Sequence, residues 1–327
     1  MSGVAPDAPP APPGKPLAQP LGPVPGPADA AHHLRTVRDL IRWGCSRMAA
    51  AGVALGHGTD SLRDEATWLV LWALRLALDD PEPHLDAQLL PAERQAVADL
   101  VERRCTERLP TAYLTGEAWL RGLRFKADPR ALIPRSVLVE ALDGALDPWL
   151  PEPEPVSVLD LCTGGGSIAI AAALRFPQAR IDATDLSAEA LELAAENLAL
   201  HGLATRIELH QGDLYAGLPG RRYRLILSNP PYVNAASMAV LPPEFRHEPM
   251  GALAGGPDGM SLVARILKDA PARLAPDGLL VVEIGHEAEH FEAAFPGMEF
   301  GYVPVSAGEQ LIVAVTRQAL VDWAGRA

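Results

Sequence analysis

The sequence predicts an α/β fold with a doubly wound, mostly parallel sheet, preceded by a smaller N-terminal helical domain and a connecting β-hairpin. From residue 156 onward, short apolar segments alternate with helical segments at the spacing of parallel strands joined by helices. A glycine-rich turn directly follows the first of these strands. Before residue 110, apolar residues recur at three- and four-residue intervals, which indicates amphipathic helices.

Composition is typical of a globular protein. Of its 327 residues, 48% are hydrophobic and 21% are charged. The length predicts two domains. Its cysteines, Cys45, Cys105 and Cys162, form no Cys-x-x-Cys pair. Neither a disulfide framework nor a zinc ribbon is therefore indicated, and a cytoplasmic location fits best. No apolar run reaches the roughly 18 residues that a membrane span requires, and no signal peptide is evident.

The net charge of −13 argues against a protein that binds nucleic acid directly, since such proteins usually carry a continuous basic surface. An acidic balance is compatible with attraction to a basic protein partner, although many enzymes are acidic without one. We therefore expect no direct contact with DNA and no membrane association.

Four regions are predicted along the chain. Residues 1–27 hold ten of the 32 prolines and are expected to form a disordered tail. Residues 28–110 form a helical domain, for which substrate docking and structural support are both open. A β-hairpin linker around Gly122 occupies residues 111–135, a helix is expected near 137–146, and the α/β domain covers 136–327. Pro151–Pro155 is a stiff spacer before the first strand.

The α/β region contains six strand candidates with helices between them. The predicted strands are 156–161, 180–184, 206–210, 223–227, 278–284 and 310–315. The predicted helices are 168–175, 188–200 and 261–274.

The turn after the first strand is a candidate cofactor site. Its sequence, Asp160-Leu-Cys-Thr-Gly-Gly-Gly-Ser-Ile-Ala169, matches a Gly-x-Gly-x-x-Gly/Ala pattern, and Asp185 ends the next strand. A nicotinamide or flavin dinucleotide and S-adenosyl-L-methionine both suit this form, and a tight turn without ligand is the structural alternative. The candidate residues of the turn are Asp160, Cys162, Thr163, Gly164, Gly165 and Gly166.

The charge of Asp160 distinguishes between the two candidate cofactors. A dinucleotide places its pyrophosphate at the helix N-terminus, where Asp160 would repel it. S-adenosyl-L-methionine carries a sulfonium and an ammonium instead, and an adjacent carboxylate favours both. Asp185 can accept from ribose hydroxyls under either interpretation. Asp213 and Leu214, after the third strand, offer an acceptor for an adenine amino group and an apolar wall.

The fourth strand ends in Asn229-Pro230-Pro231-Tyr232, at the sheet edge where α/β proteins bind ligands. The Asn229 side-chain oxygen and the Pro230 carbonyl can together accept both hydrogens of a planar –NH2 group. Pro231 restricts Pro230 to an extended conformation, which fixes the direction of that carbonyl. Tyr232 can stack on the group that is held. The motif therefore predicts group transfer to an amide or amino nitrogen, with these four residues as the catalytic set and Asn229 also facing the cofactor.

With these motifs in place, the chain resembles the Asn-Pro-Pro-Tyr branch of the S-adenosyl-L-methionine-dependent methyltransferases over residues 30–317. The segments 160–166, 241–249 and 254–260 are similar to those of the glutamine N5-methyltransferases of ribosomal protein L3 (uL3). The sister family, which acts on release factors, usually has Gly in place of Cys162 and Phe in place of His247. Gly165 is a departure, since Ser or Thr is more usual there.

The resemblance implies a seven-stranded Rossmann-like methyltransferase sheet and uL3 as the substrate, before ribosome assembly. The segment 132–135 matches both sister families, and Pro134 and Arg135 are assigned to substrate binding with Tyr232. Arg246 and His247 lie in the loop after the Asn-Pro-Pro-Tyr motif, where substrate contact and a plain ion-paired loop are both open. The alternatives are a release-factor methyltransferase, an N6-adenine or N4-cytosine DNA methyltransferase, and a non-enzymatic ribosome-assembly factor.

His286 and His290 form a His-Glu-x-x-His pattern, which occurs in zinc proteases. No third ligand follows at a suitable helical position. A solvated first helical turn is the preferred interpretation, and no metal is expected.

Overall fold

The computed structural model describes residues 22–150, 156–218 and 220–326. Most of the predicted proline-rich tail and the predicted spacer at 151–155 lie outside these residues. None of the described helices is both long and apolar enough to cross a membrane. The division of the chain into the predicted domains remains a prediction.

The N-terminal region is helical, as the periodicity predicts. Its helices are α1 (Pro27–His33), α2 (Val37–Ala51), α3 (Leu62–Ala73), α4 (Pro91–Glu107) and α5 (Thr111–Thr115). Thr36 and Asp39 form a capping box at the start of α2, and the Ser61 hydroxyl caps α3. Val37, Leu40, Leu69 and Val97 pack into one apolar core of this region.

The predicted hairpin is confirmed. Strands β1 (Glu117–Leu120) and β2 (Leu123–Lys126) pair antiparallel, with Glu117 opposite Lys126. Arg121 and Gly122 both have positive φ, which is the conformation of the tight two-residue turns that match strand twist.

The helix predicted at 137–146 is less regular than the sequence indicates. A short α6 (Leu138–Glu140) continues into a π-helical stretch over Ala141–Ala145. Gly144 has φ 130°, which interrupts regular helical geometry at that point.

The seven-stranded, mostly parallel sheet is confirmed. Its strands are β3 (Ser157–Leu161), β4 (Arg180–Asp185), β5 (Ile207–Gln211), β6 (Tyr223–Ser228), β7 (Leu274–Glu283), β8 (Gly301–Tyr302) and β9 (Ile312–Thr316). They lie in the order β5-β4-β3-β6-β7-β9-β8. The pairs β7–β9 and β9–β8 are antiparallel, and the other four pairs are parallel. The chain leaves β3 toward β4 and returns to β6 on its other side, which makes the β3–β6 border the topological switch point.

Helices cover both faces of the sheet. They are α7 (Ser167–Arg175), α8 (Ala188–Leu200), α10 (Ser261–Arg273), α11 (Ala288–Ala294) and α12 (Arg317–Ala324). The short α9 (Ala235–Ala239) has no buried residue. On one face Val158 and Ile181 pack with Ile170 of α7. On the other, Leu159 and Ile226 pack with Ile266 of α10. Both faces of the central strands are thus buried, as expected for a parallel sheet.

Candidate active site

Two adjoining cavities lie at the carboxyl ends of the central strands. The first, of about 560 Å³, is bordered by the turns that follow β3, β4, β5 and β6. The second, of about 640 Å³, lies between the N-terminal region and the sheet. Leu132, Arg135, Asn229 and Ala252 line both cavities, so these four residues form the border between them.

Asp160 lies beneath the glycine turn of the first cavity and is fully buried. Its Oδ2 accepts from the Thr163 hydroxyl at 2.6 Å and from the Ala169 N–H at 3.1 Å. Its Oδ1 is buried with no hydrogen-bond partner among the described residues. Burial raises the pKa of this carboxyl to about 7, and the charge of Asp185 adds to the rise. A cationic ligand in the cavity would relieve that cost.

Asp185 is fixed by backbone donors at the end of β4. Its Oδ2 accepts from the Gly164 N–H at 2.8 Å, and its Oδ1 accepts from the Ser187 N–H at 2.9 Å. A carboxylate oxygen can accept more than one hydrogen bond, so Asp185 retains acceptor capacity for ribose hydroxyls.

The three glycines of the turn differ in how strictly glycine is required. Gly164 and Gly166 have positive φ, and a Cβ on Gly166 would press on Ala194 and Leu198 at 3.3 Å. Gly165 has ordinary φ, and its nearest neighbour for a Cβ is the Asn197 side chain at 3.5 Å. The turn therefore has room for a side chain at 165, and glycine there leaves the geometry of the turn intact.

The turn after β5 supplies the opposite wall of the first cavity. Asp213 pairs with Arg265 at 2.7 Å, and both residues line the cavity. Leu214 is buried with φ 54°, and its carbonyl accepts from the Thr184 hydroxyl. Gly212 is required sterically, because a Cβ there would overlap the Ala216 carbonyl.

The cations around the first cavity are paired. Arg130 bonds Asp128 at 2.7 Å, Arg135 bonds Glu248 at 2.6 Å, and Arg265 bonds Asp213. Asp185, in contrast, has no ion pair within the described residues. The cavity is thus suited to a ligand that carries positive charge and hydroxyl groups.

The Asn-Pro-Pro-Tyr segment borders both cavities. Asn229 lines both, Pro231 lines the first, and Pro230 and Tyr232 line the second. No hydrogen bond joins the Asn229 side chain to another described residue, which leaves its oxygen available to a ligand. The Tyr232 hydroxyl donates to Glu283 at 3.1 Å, and Ser136 donates to the other Glu283 oxygen at 2.5 Å.

Three glycines allow the close approach of Tyr232. Gly255 and Gly259 come from the Ala-Gly-Gly-Pro-Asp-Gly-Met segment, and Gly285 follows β7. A Cβ on Gly255 or Gly259 would overlap the Tyr232 backbone, and one on Gly285 would overlap its ring. Val233 also exchanges backbone hydrogen bonds of 2.9 Å with Leu253 and Gly255. The glycines of 254–260 therefore permit close packing against the Asn-Pro-Pro-Tyr segment, and the backbone hydrogen bonds of Val233 hold the two segments together.

Glu248 joins three parts of the chain at the second cavity. It is 2% exposed and accepts from both Nη atoms of Arg135, at 2.6 and 2.8 Å, and from the Ile133 N–H. His57 Nε2 lies 3.3 Å from it. Burial opposes ionisation, but the adjacent His57 ring and the hydrogen bonds from Arg135 outweigh it and hold the pKa of Glu248 at about 2.

Glu244 connects the same loop to the helical region. Its Oε1 lies 2.8 Å from Arg108 and 3.3 Å from Arg104, and it accepts from the Ala54 N–H at 3.0 Å. Arg104 also pairs with Glu65 at 2.8 Å. Burial works against ionisation of Glu244, yet the Ala54 N–H and the two arginines lower its pKa. This buried network fixes the loop over the second cavity.

Several residues predicted to contact ligands lie outside the lining of the two cavities. Of the residues predicted to contact ligands, Asp160, Pro134, Arg246 and His247 line neither cavity, and their roles stay predictions. Pro134 is buried, Arg246 is exposed, and His247 is 3.2 Å from the Glu107 carbonyl. Phe245 and Glu283 line the second cavity although no sequence motif identifies them, whereas Glu244 and Glu248 are buried and line neither cavity. The one sequence signal for three of these residues is the Pro-Pro-Glu-Phe-Arg-His-Glu-Pro segment (242–249) in which they lie.

The His-Glu-x-x-His segment has a structural role. Asn234 donates to one Glu287 oxygen at 2.7 Å, and His290 contacts the other. In the described residues, the one group with metal-ligand spacing is elsewhere: Asp182, Glu208 and His210. Arg221 and Tyr223 already bind Asp182 there, and Arg180 binds Glu208. That the protein binds no metal remains a prediction.

A glycine-turn cavity at the switch point of a mostly parallel sheet, beside a strand that ends in Asn-Pro-Pro-Tyr, defines an S-adenosyl-L-methionine-dependent methyltransferase. The family model "Methyltransferase small domain" matches residues 138–242. Ribosomal protein uL3 glutamine methyltransferase of Bordetella pertussis is 55% identical over 88% of this chain and 97% of its own length. The enzyme of the same name from Burkholderia pseudomallei is 52% identical over 89% of this chain and 97% of its own. The chain belongs to the ribosomal protein uL3 glutamine methyltransferase family.

Among solved structures, a ribosomal protein L11 methylase from Lactobacillus delbrueckii subsp. bulgaricus matches with a TM-score of 0.37 and 22% identity. The match covers 54% of this chain and 76% of that one.

Proposed function

We propose that this protein transfers a methyl group from S-adenosyl-L-methionine to the side-chain amide nitrogen (N5) of a glutamine in ribosomal protein uL3. The observation that carries the proposal is the position of Asn229. It borders both cavities, so a ligand amide held by its oxygen lies beside the cofactor cavity.

The first cavity has the features that the methyl donor requires. Asp185 can accept from the ribose hydroxyls, and Asp213 and Leu214 can accept from and pack on the adenine. Asp160, with its unpartnered Oδ1, supplies negative charge beneath the glycine turn. Cys162, Thr163, Gly164 and Gly165 line the same cavity and allow close approach. When bound, S-adenosyl-L-methionine supplies an electrophilic methyl group on a positively charged sulfur.

An amide nitrogen is a weak nucleophile because its lone pair is delocalised into the carbonyl. The Asn229 Oδ1 and the Pro230 carbonyl accept the two hydrogens of the glutamine –NH2 and orient the nitrogen toward the cofactor cavity. Positive charge that develops on the nitrogen strengthens both hydrogen bonds, so they stabilise the transition state more than the ground state. Orientation of the two reactants provides much of the remaining acceleration.

Tyr232 forms the face on which the amide plane rests. Its ring is positioned by the hydroxyl bond to Glu283 and by contact with Gly285. Burial raises the pKa of Tyr232, so the hydroxyl stays protonated and continues to donate. No strong base is needed for the last proton, because an N-alkylated amide cation is very acidic and loses it readily.

The alternatives are less well supported. The relatives at 55% and 52% identity carry uL3 in their names, which favours uL3 over a release factor. The net charge of −13 disfavours a DNA substrate. A purely non-enzymatic role in ribosome assembly does not explain the presence of two adjoining cavities. We expect free uL3, in the cytoplasm and before ribosome assembly, to be the acceptor. The glutamine must enter a cavity of the enzyme, and the surrounding parts of an assembled ribosome would hinder its entry.

The test uses purified protein and radiolabelled S-adenosyl-L-methionine with free uL3, assembled ribosomes, release factor or DNA as acceptors. We expect incorporation into free uL3, with a mass increase of one methyl group on one glutamine. Incorporation into release factor in preference to uL3 would contradict the proposed substrate, and equal incorporation into assembled ribosomes would contradict the proposed timing.

A further inference from the structure

The second cavity has two neighbouring grooves on the protein surface, each of which shares lining residues with it. The first, which we call the tryptophan groove, is lined by Trp72, Arg75, Asp79, Trp119 and their neighbours and has a volume of about 660 Å³. The second, the tyrosine groove, is lined by His286, Tyr302, Pro304, Glu309 and their neighbours and has a volume of about 740 Å³.

The second cavity is the common neighbour of these grooves. Trp119 lines both the second cavity and the tryptophan groove. His286, Ala307 and Leu311 line both the second cavity and the tyrosine groove. The two grooves share no lining residue with each other, and the cavity lined by Asn229 and Tyr232 adjoins both of them.

Apolar surface is exposed along this track. The Trp119 side chain lies on the short strand β1, and the residue is 38% exposed. Trp72 is partly buried and lines the tryptophan groove. Tryptophan is enriched where one chain recognises another, because it buries a large area at small cost in conformational entropy.

Unpaired negative charge is distributed along the whole track. Asp79 lies in the tryptophan groove, Asp60 in the second cavity and Glu309 in the tyrosine groove, and all three are exposed. None has an ion-pair or hydrogen-bond partner in the described chain. Of the guanidinium groups on these walls, Arg121, Arg124 and Arg135 pair with Asp143, Glu117 and Glu248, which leaves Arg75 as the one without such a partner within the described residues.

We infer that this track binds an extended, basic segment of uL3 on both sides of the methylated glutamine, with one flank in each groove. The inference rests on the proposed function, which places the glutamine at Asn229. A protein that binds ribosomal RNA must carry lysine and arginine to neutralise phosphates, so its chain complements carboxylates spaced along a groove. The net charge of −13 adds long-range attraction for the same partner.

The test is a double charge reversal at the two ends of the track, Asp79→Lys with Glu309→Lys. The matched control is Asp80→Lys with Glu299→Lys, which changes net charge equally at exposed positions that line neither groove. Thermal unfolding of both variants verifies that they fold. Initial rates are measured with purified full-length uL3 at low and moderate salt, and affinity for S-adenosyl-L-methionine is measured by calorimetry.

We expect the groove variant to raise the KM for uL3 by about 10-fold at low salt, with kcat and cofactor affinity close to those of the control. The difference should shrink as salt increases. Equal KM values for the groove and control variants would overturn the inference while leaving the proposed function intact. An unchanged KM together with loss of a dimer in sedimentation would assign the track to a second copy of the chain and overturn the inference as well. Failure of the unaltered protein to methylate uL3 at all would instead overturn the proposed function.

Discussion

The two carboxylate oxygens of Glu248 accept from the two Nη atoms of Arg135, 113 residues earlier in the chain, at 2.6 and 2.8 Å. Arg135 lines both cavities, and Glu248 is almost fully buried. This pair therefore anchors the loop after the Asn-Pro-Pro-Tyr motif to the border between the first and the second cavity.

Replacing Glu248 with Gln should destabilise the protein by about 3 kcal/mol, because it leaves the Arg135 charge without its partner in a largely buried setting. Equilibrium unfolding in urea measures the change. Glu107→Gln, which breaks the exposed pair between Arg103 and Glu107, is the control and should leave the midpoint unchanged. Similar midpoints for the two variants would contradict the role given to Glu248.

The stabilisation from Glu248 should depend on pH in a defined direction. Its pKa is lowered to about 2 in the folded protein, against an ordinary value of 4.5. A lowered folded-state pKa stabilises the fold above the unfolded-state value, and that stabilisation is lost as pH falls toward the folded-state value. The difference in unfolding free energy between the unaltered protein and Glu248→Gln should therefore be constant above about pH 5 and decline between about pH 4 and pH 2. A difference that grows as pH falls would refute this.

Asp160 should release a proton when the cofactor binds. Burial raises its pKa to about 7, so the free protein carries a partly protonated carboxyl at neutral pH, and ionisation costs stability as pH rises from about 4 to about 7. A bound sulfonium and ammonium should lower that pKa. Calorimetry of S-adenosyl-L-methionine binding near pH 7, in two buffers of different ionisation enthalpy, measures the proton release. It should disappear in Asp160→Asn, and a binding enthalpy independent of buffer in the unaltered protein would contradict the assignment.

Gly285→Ala should displace the Tyr232 ring, since a Cβ at this position overlaps it. We expect kcat for uL3 to fall by about 10- to 100-fold, because a small misplacement of a group that orients the reactants has a large effect. Gly297→Ala is the matched control: Gly297 also has positive φ but open space around it, so it carries the backbone strain without the contact. Equal kcat values would show that Tyr232 needs no such positioning.

The residues that the sequence identifies best are those in local motifs at strand ends. The glycine turn, Asp185 and Asp213 lie side by side because parallel strands bring their carboxyl ends to one edge, and the Asn-Pro-Pro-Tyr motif joins them there. The sheet and the hairpin were predictable for the same reason, since apolar alternation and turn residues act locally. Strand β8, of two residues, is too short to leave a pattern.

The roles of Glu244 and Glu248 are not evident from the sequence, because their partners are distant in the chain. Arg135 and His57 offset the cost of burying Glu248, and Arg104, Arg108 and the Ala54 N–H do the same for Glu244. A sequence segment with Glu, Arg, His and Glu is typical of a solvated loop. The neighbouring residues in the sequence do not indicate which of the charged side chains are buried. Arg246 is exposed and His247 is partly exposed, and their assignment to substrate binding stays a prediction.

The central claim is that the Asn229 oxygen holds the glutamine –NH2 beside the methyl donor, and Asn229→Ala tests it most directly. Asn234→Ala, which removes an asparagine that lines neither cavity, is the control. Methyl transfer to uL3 should fall by at least about 100-fold in Asn229→Ala, as when one transition-state hydrogen bond is removed, while calorimetric affinity for S-adenosyl-L-methionine stays close to that of the control. Near-normal methyl transfer by Asn229→Ala would contradict the mechanism.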